Sequence, residues 1–174
     1  AGVNNNGEDV NKTFTAQTTD TVYAAAFMIQ TQVTNSVGYF FHFSTNPLKT
    51  SNFITKIWVN DNGEGLGLGS STPSTWVKIT PGQTYLVVVK LYYDKDKDNK
   101  KSSLYVFSTF PSSEPDTAAQ SYTESSSFQV GSVALRQYNA SQKIIVDGIR
   151  VATSWAEAVK SINDATNYSV TYNA

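Results

Sequence analysis

Short runs of alternating apolar and polar residues fill most of this chain, and turn residues separate them. An alternation with period two is typical of β-strands that bury one face. It predicts strands at residues 22–32, 38–44, 53–60, 66–68, 76–80, 84–93, 103–108 and 132–138, and a closing strand from residue 143. Residues 154–162 combine a capping serine with helical spacing, which predicts one short helix.

The turn signals predict how neighbouring strands pair. A Thr-Asn-Ser turn predicts that 22–32 and 38–44 form a hairpin, and the charged loop 94–101 predicts another between 84–93 and 103–108. Residues 110–127 are rich in Pro, Ser and Thr, so we expect a long surface connection there. Many short strands without intervening helices favour an all-β, antiparallel β-sandwich.

Composition narrows the class of protein. A chain of 174 residues is the usual size of one sandwich domain, and a net charge of -1 gives no basic field for nucleic acid. Cysteine is absent, which excludes disulfides and a cysteine nucleophile. We expect no membrane insertion, because no apolar run reaches ~18 residues. Abundant Ser, Thr and Asn with few charges favours a secreted or cell-surface location.

Five segments carry a family resemblance: 7–16 (GEDVNKTFTA), 39–43 (YFFHF), 85–94 (YLVVVKLYYD), 133–137 (VALRQ) and 143–155, where V-D-x-I-R-V precedes a tryptophan. They resemble concanavalin A-like (laminin-G-like) jelly rolls, especially those of secreted Bacteroidota proteins that use type IX secretion. The resemblance implies a jelly-roll domain at 1–160 that lacks its first strand or strands. Residues 161–174 would be a linker or the start of a following segment. Neighbouring domains of the same polypeptide or the secretion machinery would be its partners.

The acidic residues do not match the catalytic pattern of enzymes with this fold. Laminarinase-type glycosidases place two carboxylates at alternate positions of one strand, and no E-x-D-x-E or E-x-D-x-x-E pattern occurs here. We interpret Glu114, Asp116 and Glu124 as solvated loop acids, and His42 as a hydrogen-bonded structural residue. The sequence therefore predicts no catalytic residue and no enzyme activity.

Asp147 is the candidate metal ligand. Alternation places it in a row with Ile145, Ile149 and Val151, where a buried carboxylate needs a partner. The resemblance implies a structural calcium, and an ion pair with Arg136 is the alternative. We interpret Asp94, Asp96 and Asp98 as part of a solvated hairpin, because the spacing departs from a calcium loop.

Trp58 is the main candidate for sugar stacking, since its strand face also carries Lys56 and Asn60. An exposed tryptophan on a polar face indicates a contact surface. Tyr92 and Tyr105 are weaker candidates. The predicted function is a non-catalytic glycan-binding or adhesion module that contacts a glycan or cell-surface polysaccharide. The alternative is a structural or targeting spacer without a ligand of its own.

Overall fold

The computed structural model describes residues 2–3, 10–17, 21–32, 36–94, 99–125, 129–136 and 143–160. These contain twelve strands and one short helix. The elements are β1 (Gly2–Val3), β2 (Val10–Gln17), β3 (Thr21–Gln32), β4 (Gly38–Ser44), β5 (Ile54–Val59), β6 (Gly65–Leu68), β7 (Val77–Lys78), β8 (Thr84–Asp94), β9 (Asn99–Phe107), β10 (Gln120–Glu124), β11 (Val130–Leu135), β12 (Lys143–Ala152) and α1 (Trp155–Ala158).

The strands form two antiparallel, six-stranded sheets. Sheet A has the order β1-β12-β3-β8-β9-β10, and sheet B has the order β2-β11-β4-β5-β6-β7. The predicted fold class, an all-β antiparallel sandwich of the jelly-roll type, is confirmed. The predicted segment 161–174 lies outside the described residues.

The core lies between the sheets and follows the predicted alternation. Ile57 and Val59 of β5 meet Val87 and Val89 of β8 in one buried cluster. Strand β8 is buried on its other face as well, where Val88 belongs to a second cluster with Ala158 of α1. The outer face of sheet A is therefore partly covered by the segment that follows β12.

Two pairing predictions have different outcomes. The hairpin of β8 and β9 is confirmed, with a register that runs from Leu86↔Phe107 to Asp94↔Asn99. The hairpin of residues 22–32 and 38–44 is wrong, because β3 belongs to sheet A and β4 to sheet B. The chain therefore changes from sheet A to sheet B between β3 and β4. Residues 110–127 are also not only a connection, since they contain β10.

The predicted helix is present but short. Ser154 caps α1, and its hydroxyl accepts a hydrogen bond from the Glu157 amide. In the part of the chain that the structure describes, no helix has the length and apolarity that a membrane crossing requires.

Strand β12 contains a bulge that changes which residues face the core. Ile144 and Val146 are buried, whereas Ile145 is 46% exposed. The register shifts after Asp147, and Gly148 has a φ of 64°. One added residue reverses the alternation. The predicted burial of the row that contains Asp147 is therefore wrong.

Candidate functional site

A polar cleft of about 420 Å³ lies on the outer face of sheet A. Strands β8, β9 and β10 form its floor, and residues 114–118 form one wall. The residues that give it chemical character are Lys90, Tyr92, Ser103, Tyr105, Glu114, Asp116 and Ser121.

The strand register brings the floor residues together. Lys90 is paired with Tyr23 of β3 on one side and with Ser103 of β9 on the other. Paired residues point to the same face of a sheet. Tyr92 lies two residues after Lys90 and therefore shares this face.

Glu114 is the centre of the hydrogen-bond network. Its Oε1 accepts from Lys90 Nζ at 2.7 Å and from Tyr105 Oη at 3.0 Å. Its Oε2 accepts from Tyr23 Oη at 2.8 Å. Three donors from three strands thus fix one carboxylate, although it lies in a loop.

The network sets the protonation states. Burial alone would raise the pKa of Glu114, but the hydrogen bonds from Lys90 and Tyr23 outweigh it and hold the pKa below its usual value. Burial lowers the pKa of Lys90, but its hydrogen bond to Glu114 reverses this and leaves the pKa raised. Burial and the hydrogen bond to Glu114 raise the pKa of Tyr105 to about 12. At neutral pH the cleft therefore holds a carboxylate, an ammonium and protonated phenols.

Tyr92 and Tyr105, the two tyrosines predicted as weaker candidates for sugar contact, both line the cleft. They differ in how much of the ring is exposed. Tyr105 is only 6% exposed, and its ring packs edge-on against Trp155 with a centroid distance of 5.2 Å. Of the Tyr105 side chain, the hydroxyl is the part that contacts Glu114. Tyr92 is half-buried, so its ring is the one that remains partly open to a ligand.

Trp58 is not an exposed platform. It is 6% exposed, its Nε1 donates to the Gly69 carbonyl at 2.9 Å, and its ring lies 5.0 Å from that of Tyr39. The premise of the prediction is wrong because a distant segment covers this face. Opposite Trp58, Gly67 lies so close to Pro73 that a Cβ there would be 2.7 Å from the Pro73 ring.

Asn60 also has a structural contact. Its Oδ1 accepts from the Gly65 amide at 3.0 Å and closes the turn between β5 and β6. Trp58 and Asn60 therefore lie on sheet B, apart from the cleft that contains Tyr92 and Tyr105.

Asp147 is exposed at the bulge of β12, and its Oδ1 accepts from the Gly148 amide at 2.8 Å. The alternative partner, Arg136, instead donates to the hydroxyl of Tyr39. Both readings assumed a buried carboxylate, and that assumption is wrong. Among the described residues, no three His, Cys, Asp or Glu side chains are grouped as a metal site would require.

His42 is a structural residue, as predicted. It is 1% exposed, its Nδ1 lies 3.2 Å from the Phe43 carbonyl, and its ring stacks on that of Phe53. Burial lowers its pKa to about 4, and the charges of Arg136 and Lys56 act in the same direction.

Glu124 is not a loop acid, contrary to the prediction. It ends β10, is 3% exposed and links the two sheets. Its Oε1 accepts from the Thr55 amide at 2.9 Å and from the Ser102 hydroxyl at 2.6 Å. Its Oε2 is buried without a hydrogen-bond partner in the described chain. Burial raises the pKa of Glu124 despite these hydrogen bonds.

Sequence reasoning missed the roles of Tyr23 and Lys90. It interpreted Glu114 as a solvated loop acid, which is wrong because Tyr23, Lys90 and Tyr105 donate to its half-buried carboxylate. Lys90 alternates with Tyr92 on an otherwise apolar strand, and this pattern marks a polar position on the outer face. The contribution of Glu114 depends on the path of a loop, so its strand partners are not visible in a local pattern.

No protein-family model and no curated protein matches the chain. Comparison with solved structures gives 13 matching chains. One is the catalytic domain of the glycoside hydrolase family 131 protein from Coprinopsis cinerea, with 14% sequence identity and a TM-score of 0.42. The match covers 84% of this chain and 62% of that domain.

This comparison contradicts two predictions. The chain was expected to be a non-catalytic glycan-binding or spacer module and not an enzyme, whereas the structural neighbour is a catalytic domain. At this identity and TM-score, the likeness assigns neither a substrate nor a catalytic residue to this chain.

Proposed function

We propose that this chain is an enzyme domain that hydrolyses glycosidic bonds in the cleft around Glu114. The observation that carries the proposal is one polar cleft that holds two carboxylates, Glu114 and Asp116, beside the half-buried ring of Tyr92. Glycoside hydrolysis commonly uses two carboxyl groups on either side of the scissile bond.

The different surroundings of the two acids support different roles. Glu114 stays ionised because Lys90 and two tyrosines donate to it. It would act as the base or nucleophile. Asp116 is exposed at the wall of the cleft and would act as the acid.

The remaining groups of the cleft suit a polyhydroxylated ligand. The half-buried ring of Tyr92 would stack on the C–H bonds of a sugar, with the Lys90 and Lys101 ammonium groups beside it at 5.7 and 5.9 Å from the ring centre. Ser103 and Ser121 lie at the floor with their hydroxyls 3.4 Å apart, and they would bind sugar hydroxyls. A glycan or cell-surface polysaccharide is therefore the proposed substrate class.

We also propose that this chain is a concanavalin A-like domain. The segments quoted above support a concanavalin A-like domain of a secreted or cell-surface protein, with type IX secretion as its export route.

The structural calcium at Asp147 remains a prediction. Calcium titration of the wild type and Asp147→Asn by calorimetry would test it, and equal heats from both proteins would count against it.

The test of the proposed activity is reducing-end release from a panel of soluble polysaccharides. We expect release by the wild type and a loss of at least about 100-fold in Glu114→Gln and Asp116→Asn, the range typical of acid–base catalysis. Asp61→Asn is the matched control, because Asp61 is exposed in the turn between β5 and β6. Thermal melts of all variants would verify folding.

Two outcomes would overturn the proposal. One is the absence of release from every polysaccharide by a folded wild-type protein. The other is release that Glu114→Gln and Asp116→Asn leave unchanged. Sugar binding without turnover belongs to the first outcome, since the proposal is a hydrolase.

A further inference from the structure

Two lysine ammonium groups lie beside the Tyr92 ring at the floor of the cleft. Lys90 Nζ is 5.7 Å and Lys101 Nζ is 5.9 Å from the ring centre. The lysines come from the neighbouring strands β8 and β9, and both side chains are half-buried. A sugar that stacks on this ring therefore also comes close to two positive charges.

The strand register shows what surrounds Lys101. It is paired with Tyr92 on β8 and with Thr123 on β10, so these side chains share the outer face of sheet A. Ser103, two residues further along β9, lies on the same face. Both strand positions that are paired with Lys101 thus hold uncharged residues.

The acids of the cleft lie in its wall. Glu114 and Asp116 belong to residues 114–118, and Oε1 of Glu114 accepts from Lys90 at 2.7 Å. An ammonium group has several N–H donors, so Lys90 can keep this ion pair and still donate to a ligand. Among the described side chains, the floor beside Tyr92 is therefore positively charged and the wall negatively charged.

This arrangement favours an anionic over a neutral sugar. A sugar ring placed on Tyr92 removes water from the two ammonium groups, and the loss of hydration of a charge costs free energy unless an opposite charge replaces the water. The hydroxyls of a neutral sugar accept hydrogen bonds but carry no charge. A carboxylate or a sulfate group on the ring supplies both the acceptors and the charge.

We propose that the substrate of this cleft is an anionic polysaccharide, and that the carboxylate or sulfate group of the sugar at Tyr92 binds the ammonium groups of Lys90 and Lys101. The inference rests on the proposed function in one respect, namely that the cleft around Glu114 is the sugar site. It makes Lys101 a specificity-determining residue.

The test is calorimetric titration at low salt, where ion pairs are screened least. Asp116→Asn is used so that the oligosaccharide is not cleaved during the measurement. The probes are oligomers of galacturonate, glucuronate and mannuronate, each compared with its uncharged methyl ester. Sulfated galactan oligosaccharides and their desulfated forms are the second arm, which distinguishes a sulfate from a carboxylate.

We expect at least one charged oligosaccharide to bind about tenfold or more tightly than its uncharged form. Lys101→Met, added to Asp116→Asn, should remove most of this difference, and Lys101→Arg should retain it because the charge is kept. The matched control is Lys78→Met, which removes the same charge from an exposed position on β7 of sheet B. Thermal melts of all variants would verify folding.

Three results would overturn the inference. They are equal affinity for the charged and uncharged forms, a preference that Lys101→Met leaves unchanged, and the absence of measurable binding of every charged oligosaccharide. Failure of the hydrolase proposal looks different, since a charge preference that depends on Lys101 without release of reducing ends would refute the hydrolase alone. Release from neutral polysaccharides without any charge preference would refute this inference alone.

Discussion

Glu124 provides a sharp test of how a buried carboxylate affects this fold. It is 3% exposed, and its Oε1 accepts from the Thr55 amide and the Ser102 hydroxyl. Thr55 has a φ of 55°, a conformation that residues other than glycine rarely adopt. The carboxylate therefore accepts from a backbone amide whose position is fixed by this unusual backbone conformation.

Replacement by alanine would leave the Thr55 amide without its acceptor. The Ser102 hydroxyl can still pair with Thr55 Oγ1, which lies 2.8 Å away. One buried amide without a partner costs about 1–3 kcal/mol, and the small cavity adds to this. We expect Glu124→Ala to lower the free energy of unfolding by about 2–4 kcal/mol.

The variant Glu124→Gln separates the effect of the hydrogen bonds on stability from the effect of the negative charge. It keeps the acceptor but cannot ionise. The pKa of Glu124 is raised above its ordinary value of 4.5, so the folded protein holds this proton more tightly than the unfolded chain does. The resulting stability is complete below the unfolded pKa and is lost as the pH rises through the folded pKa. Each unit of the shift corresponds to about 1.4 kcal/mol.

The assay is urea unfolding of the wild type, Glu124→Gln and the exposed control Glu64→Gln between about pH 4 and about pH 8, the range that spans this titration. We expect the free energy of unfolding of Glu124→Gln, relative to that of the wild type, to rise with pH and then level off. The control should show no such rise. An advantage that is constant with pH would refute the reasoning, because it would mean that burial does not disfavour the charged form.

Two further predictions concern single residues. The His42 ring should stay neutral in NMR titrations down to about pH 5, because burial lowers its pKa to about 4. The lowered pKa destabilises the folded protein as the pH falls below 6.5, because the unfolded chain then binds a proton that the folded one does not. An inflection near pH 6.5 would contradict the burial argument. Gly148→Ala should lower the free energy of unfolding by about 1–2 kcal/mol in thermal melts, and Gly148→Asn should lower it less. The reason is the φ of 64°, since a Cβ at this position meets only ordinary contact with Phe27. Equal losses in the two variants would show that backbone strain is not the cause.

Local alternation predicted the strands because it records burial directly. The segment TYLVVVKLYY became β8, and 38–44 became β4 with the predicted bounds. The same rule failed in β12, where Gly148 adds a residue and reverses the faces. It also failed for the partner of β3, because a turn sequence does not state whether the next strand stays in the same sheet.

The candidate site was predictable only in part. Tyr92 and Tyr105 follow from the outer face of β8 and β9. Glu114 reaches them from a loop whose path depends on the whole sandwich, and Trp58 is covered by residues that a strand pattern does not include. In both cases a contact between segments distant in sequence decides the exposure of a side chain.

The strand order has a consequence for folding. β12, near the end of the described chain, pairs with β1 and β3 near its start, and β11 pairs with β2 and β4. Neither sheet is complete until β11 and β12 have been synthesised, because each of these strands lies between two earlier ones. Such non-local pairing makes folding slow, and unpaired edges stay exposed meanwhile. The edges of β1 and β3 and of β2 and β4 therefore stay unpaired on one side until the later strand inserts between them.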